Sequence, residues 1–220
     1  MLLSEVTAST LVPIAQLSKQ LVGTMSWEKA FELVADDMEP HIENLKFTMT
    51  PVSAGQMQDM PFYISGYYDD EEGEVINVDV AFERGGSVTW NNASRKKFLR
   101  DIQDTIRHEL VHQGQHSKRP DYMSGPDDGR DKRNMRTDYL SRPEEIEAFA
   151  LNIADQLIRA KRSKKGALDL LRTVRNTSQM RDKVGNLLSP ELSGYMQDIG
   201  DNREVMNRLY KKIFQYINER

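Results

Sequence analysis

Three of the four histidines fall within nine residues, at His108, His112 and His116. The first two belong to His108-Glu109-Leu110-Val111-His112, an HExxH pattern. On a helix, residues four apart lie about 40° apart around the axis and about 6 Å along it, so both imidazoles can reach one ion. Glu109 is less well placed to bind that ion than to accept a proton from a water the ion activates. The chain has no cysteine, so a metal here must be held by His, Asp or Glu. Two imidazoles and a carboxylate are a ligand set suited to catalytic Zn²⁺.

The helix that must present the motif is predicted from about Ser94 to about Gln113. Phe98, Leu99, Ile102, Ile106 and Leu110 form an apolar stripe along it. His108 and His112 flank that stripe, which puts them at the rim of a core.

A catalytic zinc usually takes three protein ligands and keeps one open position. On an unbroken helix His116 lies about 12 Å along the axis from His108, too far to share an ion unless Gly114 breaks the helix. A second helix, predicted from about Arg142 to Lys161, offers Glu144, Glu145 and Glu147. Ser141-Arg142-Pro143-Glu144 reads S-x-x-E, so Glu144 can serve as a capping-box carboxylate. Glu145 points away from the apolar arc, toward solvent. Glu147 lies inside the arc, close to Ala154 and Ile158, where a carboxylate is costly unless it is paired or bound to a cation. Glu147 is therefore the expected third ligand, with His116 and Glu144 as alternatives.

HELVH, followed some 35 residues later by the Glu-Ala step of Glu145-Ile146-Glu147-Ala148-Phe149-Ala150, resembles the gluzincin branch of the zincin metallopeptidases. The resemblance covers roughly residues 60–160. It implies that the Glu of that step, Glu147, completes the zinc site. It also implies an antiparallel sheet whose edge strand lines the cleft and binds extended substrate, a strand that residues 74–83 could supply. HELVHQGQ and YLSRPEEIEAFA also resemble small phage-encoded zincin-like proteins. One position departs from the thermolysin-like pattern: Leu151 stands where an Asp follows the ligand Glu. Orientation of the ligands would then fall to Asn152 or Asp155.

The expected activity is zinc-dependent hydrolysis of peptide bonds. His108, His112 and Glu147 hold the ion, and Glu109 takes a proton from the attacking water and passes it to the leaving amine. The developing oxyanion needs a second donor. Tyr139 is the candidate, since it ends the polar stretch Ser117 to Tyr139 just before the ligand helix. Tyr122 and His116 are the next choices. The long loop 117–141 is read as either a lid or a disordered connection. The alternative function is a zincin-fold structural or binding protein, such as a phage assembly component, acting through its basic C-terminal region.

The elements around the site read as α+β: a small antiparallel sheet packed on the HExxH helix, with a mostly helical C-terminal part. Residues 1–60 form an N-terminal, mainly helical segment, 60–162 the zincin-like core, and 163–220 a helical region continuous with it. Ser26 is the expected N-cap of a helix starting at Trp27. Phe62-Tyr63-Ile64 and Gly66-Tyr67-Tyr68 lead into the acidic turn at Asp69–Gly73. In the return strand Ile76, Val78, Val80 and Phe82 share one face. Three shorter helices close the chain, one beginning at Ser189-Pro190 and the last at Asp201 with Glu204 three residues on.

With 38% hydrophobic and 29% charged residues the composition is that of a globular protein. No stretch approaches the roughly 20 apolar residues needed to span a bilayer, and the N-terminus does not read as a secretory signal. A cytoplasmic location is expected, in the host cytoplasm or the virion if the chain is phage-encoded. Net charge is −4. Residues 1–90 carry 15 acidic and 4 basic side chains, whereas residues 159–183 carry 9 basic and 2 acidic. That basic segment is a solvated face or a docking face for an acidic partner. It lacks interleaved aromatics, which argues against nucleic acid.

Overall fold

The computed structural model describes residues 13–53, 62–70, 73–118, 132–174, 177–182 and 187–220. It is α+β, and two compact units divide it, Met1–Lys118 and Arg119–Arg220. The stretch 60–162, expected as one core, contributes to both.

The first unit opens with a helix described over residues 13–20 (α1), followed by β1 (Gly23–Ser26) and α2 (Trp27–Met38). Ser26 caps α2 as expected, its side chain accepting from the Lys29 N–H. A single 3₁₀ turn, Glu39–His41, leads to β2 (Leu45–Val52). Then come β3 (Phe62–Asp69), β4 (Val75–Glu83), β5 (Ser87–Trp90) and the long helix α3 (Asn92–Lys118). β1 and β5 pair antiparallel.

The main sheet has the order β2-β4-β3 and differs in two ways from expectation. It is mixed, because β2 runs parallel to β4 while β3 and β4 form the antiparallel hairpin. The strand expected at the edge, β4, is the central one, and β3 is an edge. β4 owes that place to its composition: Ile76, Val78, Val80 and Phe82 are all essentially buried, and Asn77 and Ala81 on its other face are buried too. A strand covered on both faces belongs in the middle of a sheet.

The core of this unit gathers around Trp27, whose ring lies 5.8–6.1 Å from those of Phe62, Phe82, Trp90 and Phe98. Asn91 starts α3, its Oδ1 accepting from the N–H groups of Ala93 and Ser94. The expected stripe Phe98, Leu99, Ile102, Ile106 and Leu110 is buried throughout. α3 packs chiefly against β3 and β4.

The second unit is helical. It contains α4 (Lys132–Ser141), α5 (Pro143–Lys161), α6 (Lys164–Thr173), a 3₁₀ turn at Thr177–Met180, α7 (Pro190–Asp198) and α8 (Arg203–Glu219). α5 is its axis and packs on α4, α6, α7 and α8. Residues 132–141 of the expected loop 117–141 are therefore helical; its segment 119–131 lies outside the described residues. Ser189 caps α7 as expected and also donates to Gln156 Oε1 at 2.6 Å. α8 is capped by Asn202, one residue beyond the expected Asp201. Among the described residues no helix is long and apolar enough to cross a membrane.

Two phenols in this unit are held well above their ordinary range. Burial is the main cause for both Tyr195 and Tyr216; nearby Glu145 and Glu191 add for the first, and Glu147 for the second. In the first unit burial, with Glu74 and Asp70, pushes Tyr68 up to about 12. A raised folded-state pKa contributes stability that is complete below the unfolded value near 10 and is lost as pH rises above it. The thermal midpoint should therefore hold level to about pH 9 and fall above about pH 10. Tyr216→Phe should flatten that fall. A midpoint that does not move between about pH 9 and 12 would contradict the assignment.

Candidate metal centre

α3 runs unbroken through Gly114 to Lys118, which decides between the histidines. With no break, His116 stays about 12 Å along the axis from His108. It turns instead to the β3–β4 hairpin: its Nδ1 is 3.5 Å from Asp70 Oδ2, and its ring centroid is 5.8 Å from that of Tyr68.

His108 and His112 converge as the spacing requires. Their Nε2 atoms are 3.1 Å apart and both side chains are buried. Tetrahedral zinc with Zn–N bonds of about 2.0–2.1 Å sets two imidazole nitrogens roughly 3.3–3.4 Å apart, so the pair is nearly preset for one ion. The other nitrogen of His112 fixes its tautomer. Gln115 Oε1, 3.0 Å from His112 Nδ1, can only accept, so Nδ1 donates and the Nε2 lone pair faces His108. This is the arrangement that orients metal-binding histidines, in which the distal N–H is held by an acceptor.

The third member of the group is Glu145. Ligand atoms of His108, His112 and Glu145, all three buried, lie within 4.8 Å of one another and could hold a metal ion. Two imidazole nitrogens are borderline donors and a carboxylate oxygen is a hard one, and the set fits a divalent transition metal.

Glu147, the expected ligand, is placed otherwise. Its Oε1 accepts from Lys212 Nζ at 3.1 Å and from Tyr216 Oη at 3.0 Å, both on α8. The cost of a carboxylate near an apolar arc is met by that ammonium and hydroxyl. Glu145 was expected to face solvent, yet it is 6% exposed. The reason is that α5 is buried on its polar side as well. Glu144, Glu145, Asn152, Asp155 and Gln156 are all buried, so polarity along this helix does not mark a wet face. The N-cap of α5 is Arg142, without a side-chain cap, in place of the expected Ser141, whose Oγ donates to the Thr137 carbonyl. Asn152 donates to Glu191 Oε1, and Asp155 pairs with Arg220.

Glu109 is 4% exposed on α3, with its carboxylate against β3 at Gly66. Tyr139 lies in the last turn of α4, 38% exposed, with the Arg142 guanidinium 5.8 Å from its ring centroid. Tyr122 is outside the described residues. Comparison of the chain with protein-family models, with curated proteins and with solved structures finds no significant match.

Proposed function

We propose that the chain is a zincin-like, zinc-dependent metallopeptidase in which His108, His112 and Glu145 hold the ion and Glu109 moves the proton. The observation that carries this reading is the convergence of three buried donor atoms around one point, next in sequence to a buried carboxylate. Zinc bound there would supply Lewis acidity, polarising a carbonyl and bringing the pKa of a water toward about 7.

The chain's own residues do the rest. Gln115 holds the His112 ring so that Nε2 faces the ion. Glu109 accepts the proton of the attacking water and returns it to the amine nitrogen as the C–N bond breaks. Tyr139 is the candidate donor to the developing oxyanion. β3, at the sheet edge and packed along α3, offers backbone groups to an extended peptide. Substrate is thereby expected to be protein or peptide.

The test is metal analysis followed by a casein cleavage assay with a chelator control. Zinc should be bound at one per chain, be lost in His108→Ala and His112→Ala, and cleavage should stop with chelator. Absence of zinc from the wild-type protein, or unchanged zinc in both variants, sinks the site.

A second reading is supported by the surface of the other unit. Lys161, Arg162, Lys164 and Lys165 are all exposed where α5 passes into α6. A zincin-fold binding protein that docks an acidic protein partner on that corner would bind zinc, show no cleavage, and release the partner as salt rises.

A further inference from the structure

We propose that Gly66 is the residue that positions Glu109. The inference rests on the reading of Glu109 as the group that accepts the proton. The face of β3 that meets α3 carries Phe62, Ile64, Gly66 and Tyr68, and all but Gly66 bear large side chains. Phe62 meets Phe98, with ring centroids 4.9 Å apart, and Tyr68 meets His116 at the other end of the crossing. Only between them, where the strand passes Glu109, is the side chain missing.

A Cβ at position 66 would lie 2.6 Å from Thr105 Cγ2, 2.9 Å from Glu109 Oε1 and 3.0 Å from Glu109 Cγ. Separations under about 3.0 Å cannot be accommodated without something shifting. Conformation does not demand glycine here, because Gly66 is not among the glycines with positive φ, which among the described residues are Gly23, Gly73 and Gly85. Glycine inside a strand weakens it and often marks close approach of a second group. At Gly66 the second group is the carboxylate itself. The strand backbone at Gly66 forms one wall of the space that holds Glu109. Gly66 touches no reacting atom; it acts through Glu109.

The design of the test separates packing from placement. Gly66→Ala alone should lower both the thermal midpoint and kcat. Thr105→Ser removes the Cγ2 of the tightest contact and leaves the Glu109 contacts untouched; alone it should change little. In Gly66→Ala/Thr105→Ser the thermal midpoint should return toward wild type with zinc retained. Its kcat should stay about 10- to 100-fold low with KM nearly unchanged, the scale expected when a reacting group is misplaced by about 1 Å.

A readout independent of turnover uses the Co²⁺-loaded protein. The pH midpoint of its visible absorption should move in the double variant in the same direction as in Glu109→Gln. Wild-type kcat and an unmoved cobalt titration in the double variant overturn the proposal. Full activity in Glu109→Gln would instead overturn the proton-acceptor reading, so the two failures are distinguishable. Should the double variant not fold, the contact can be read in the Glu109→Ala background. There Gly66→Ala/Thr105→Ser should fold and cost less in thermal midpoint; failure to fold there counts against the proposal.

Discussion

Glu145→Ala is expected to strip zinc from the protein, while Glu147→Ala leaves it bound. The two carboxylates sit two residues apart on α5, which turns them about 200° from each other around the helix. Glu145 is buried and offers its oxygen within 4.8 Å of both His108 and His112 donors. Glu147 is occupied by Lys212 and Tyr216. Loss of a residue that only orients a ligand typically weakens metal binding about 10- to 100-fold, and loss of the ligand itself should exceed that.

Glu147→Ala should act on stability instead. The Lys212–Glu147 pair is more than a third exposed on both sides, so solvent screens it and the loss is about 1 kcal/mol. In a chain of this size that is a fall of roughly 2–4 °C in thermal midpoint. Competition titrations with a zinc chelator and thermal melts on both variants make the comparison. A larger loss at Glu147 would return the third-ligand role to the residue the sequence favours, and equal zinc affinity in the two would take that role from Glu145.

The contrast between these two glutamates shows where sequence reading succeeds. HExxH needs only local geometry: an unbroken helix puts i and i+4 together, and the apolar stripe from Phe98 to Leu110 told which side faces the core. Both features belong to one helix and were legible. The third ligand depends on what packs against α5 on every side. A helical wheel assigns polar residues to water. α5 breaks that rule because Glu145, Asn152, Asp155 and Gln156 form a polar side that is also buried. The wheel located the apolar arc correctly, but α8 supplies Lys212 and Tyr216 to the carboxylate within it. Partners sixty-five or more residues away in sequence leave no mark on the local pattern.

The sheet divides the same way. The alternation of Ile76, Val78, Val80 and Phe82 marked β4 as a strand, and the acidic turn before it marked β3 as one neighbour, but nothing marked β2 as the other. β2 carries a usable signal, with Leu45 and Phe47 buried and Lys46 and Thr48 exposed between them. Its parallel pairing with β4 is a matter of topology, and that pairing moves β4 from the edge to the centre. From sequence Gly66 opens the second of two fragments, Gly66-Tyr67-Tyr68, that lead into the acidic turn. In the fold it lies inside one strand, and its smallness answers to a glutamate some forty residues on.

Glu109→Gln should keep zinc and fold while losing about 10²- to 10⁴-fold in kcat, the usual contribution of a positioned general base. That corresponds to roughly 3–5 kcal/mol of transition-state stabilisation. The substitution suits the test because glutamine has nearly the shape of glutamate. The negative charge and the capacity to take a proton are removed, since the amide oxygen is a far weaker base than the carboxylate. KM should change little, because a proton transferred in the transition state contributes nothing to substrate binding in the ground state. The acidic limb of the kcat/KM profile should also vanish, as that limb reports the protonation of the free enzyme's base. Peptide cleavage with a chelator control, measured across pH for both proteins, gives all three quantities. Retained wild-type kcat would leave the zinc group standing as a binding site and would take the proton-transfer role away from Glu109. A loss in kcat without loss of the acidic limb would place the base on another residue.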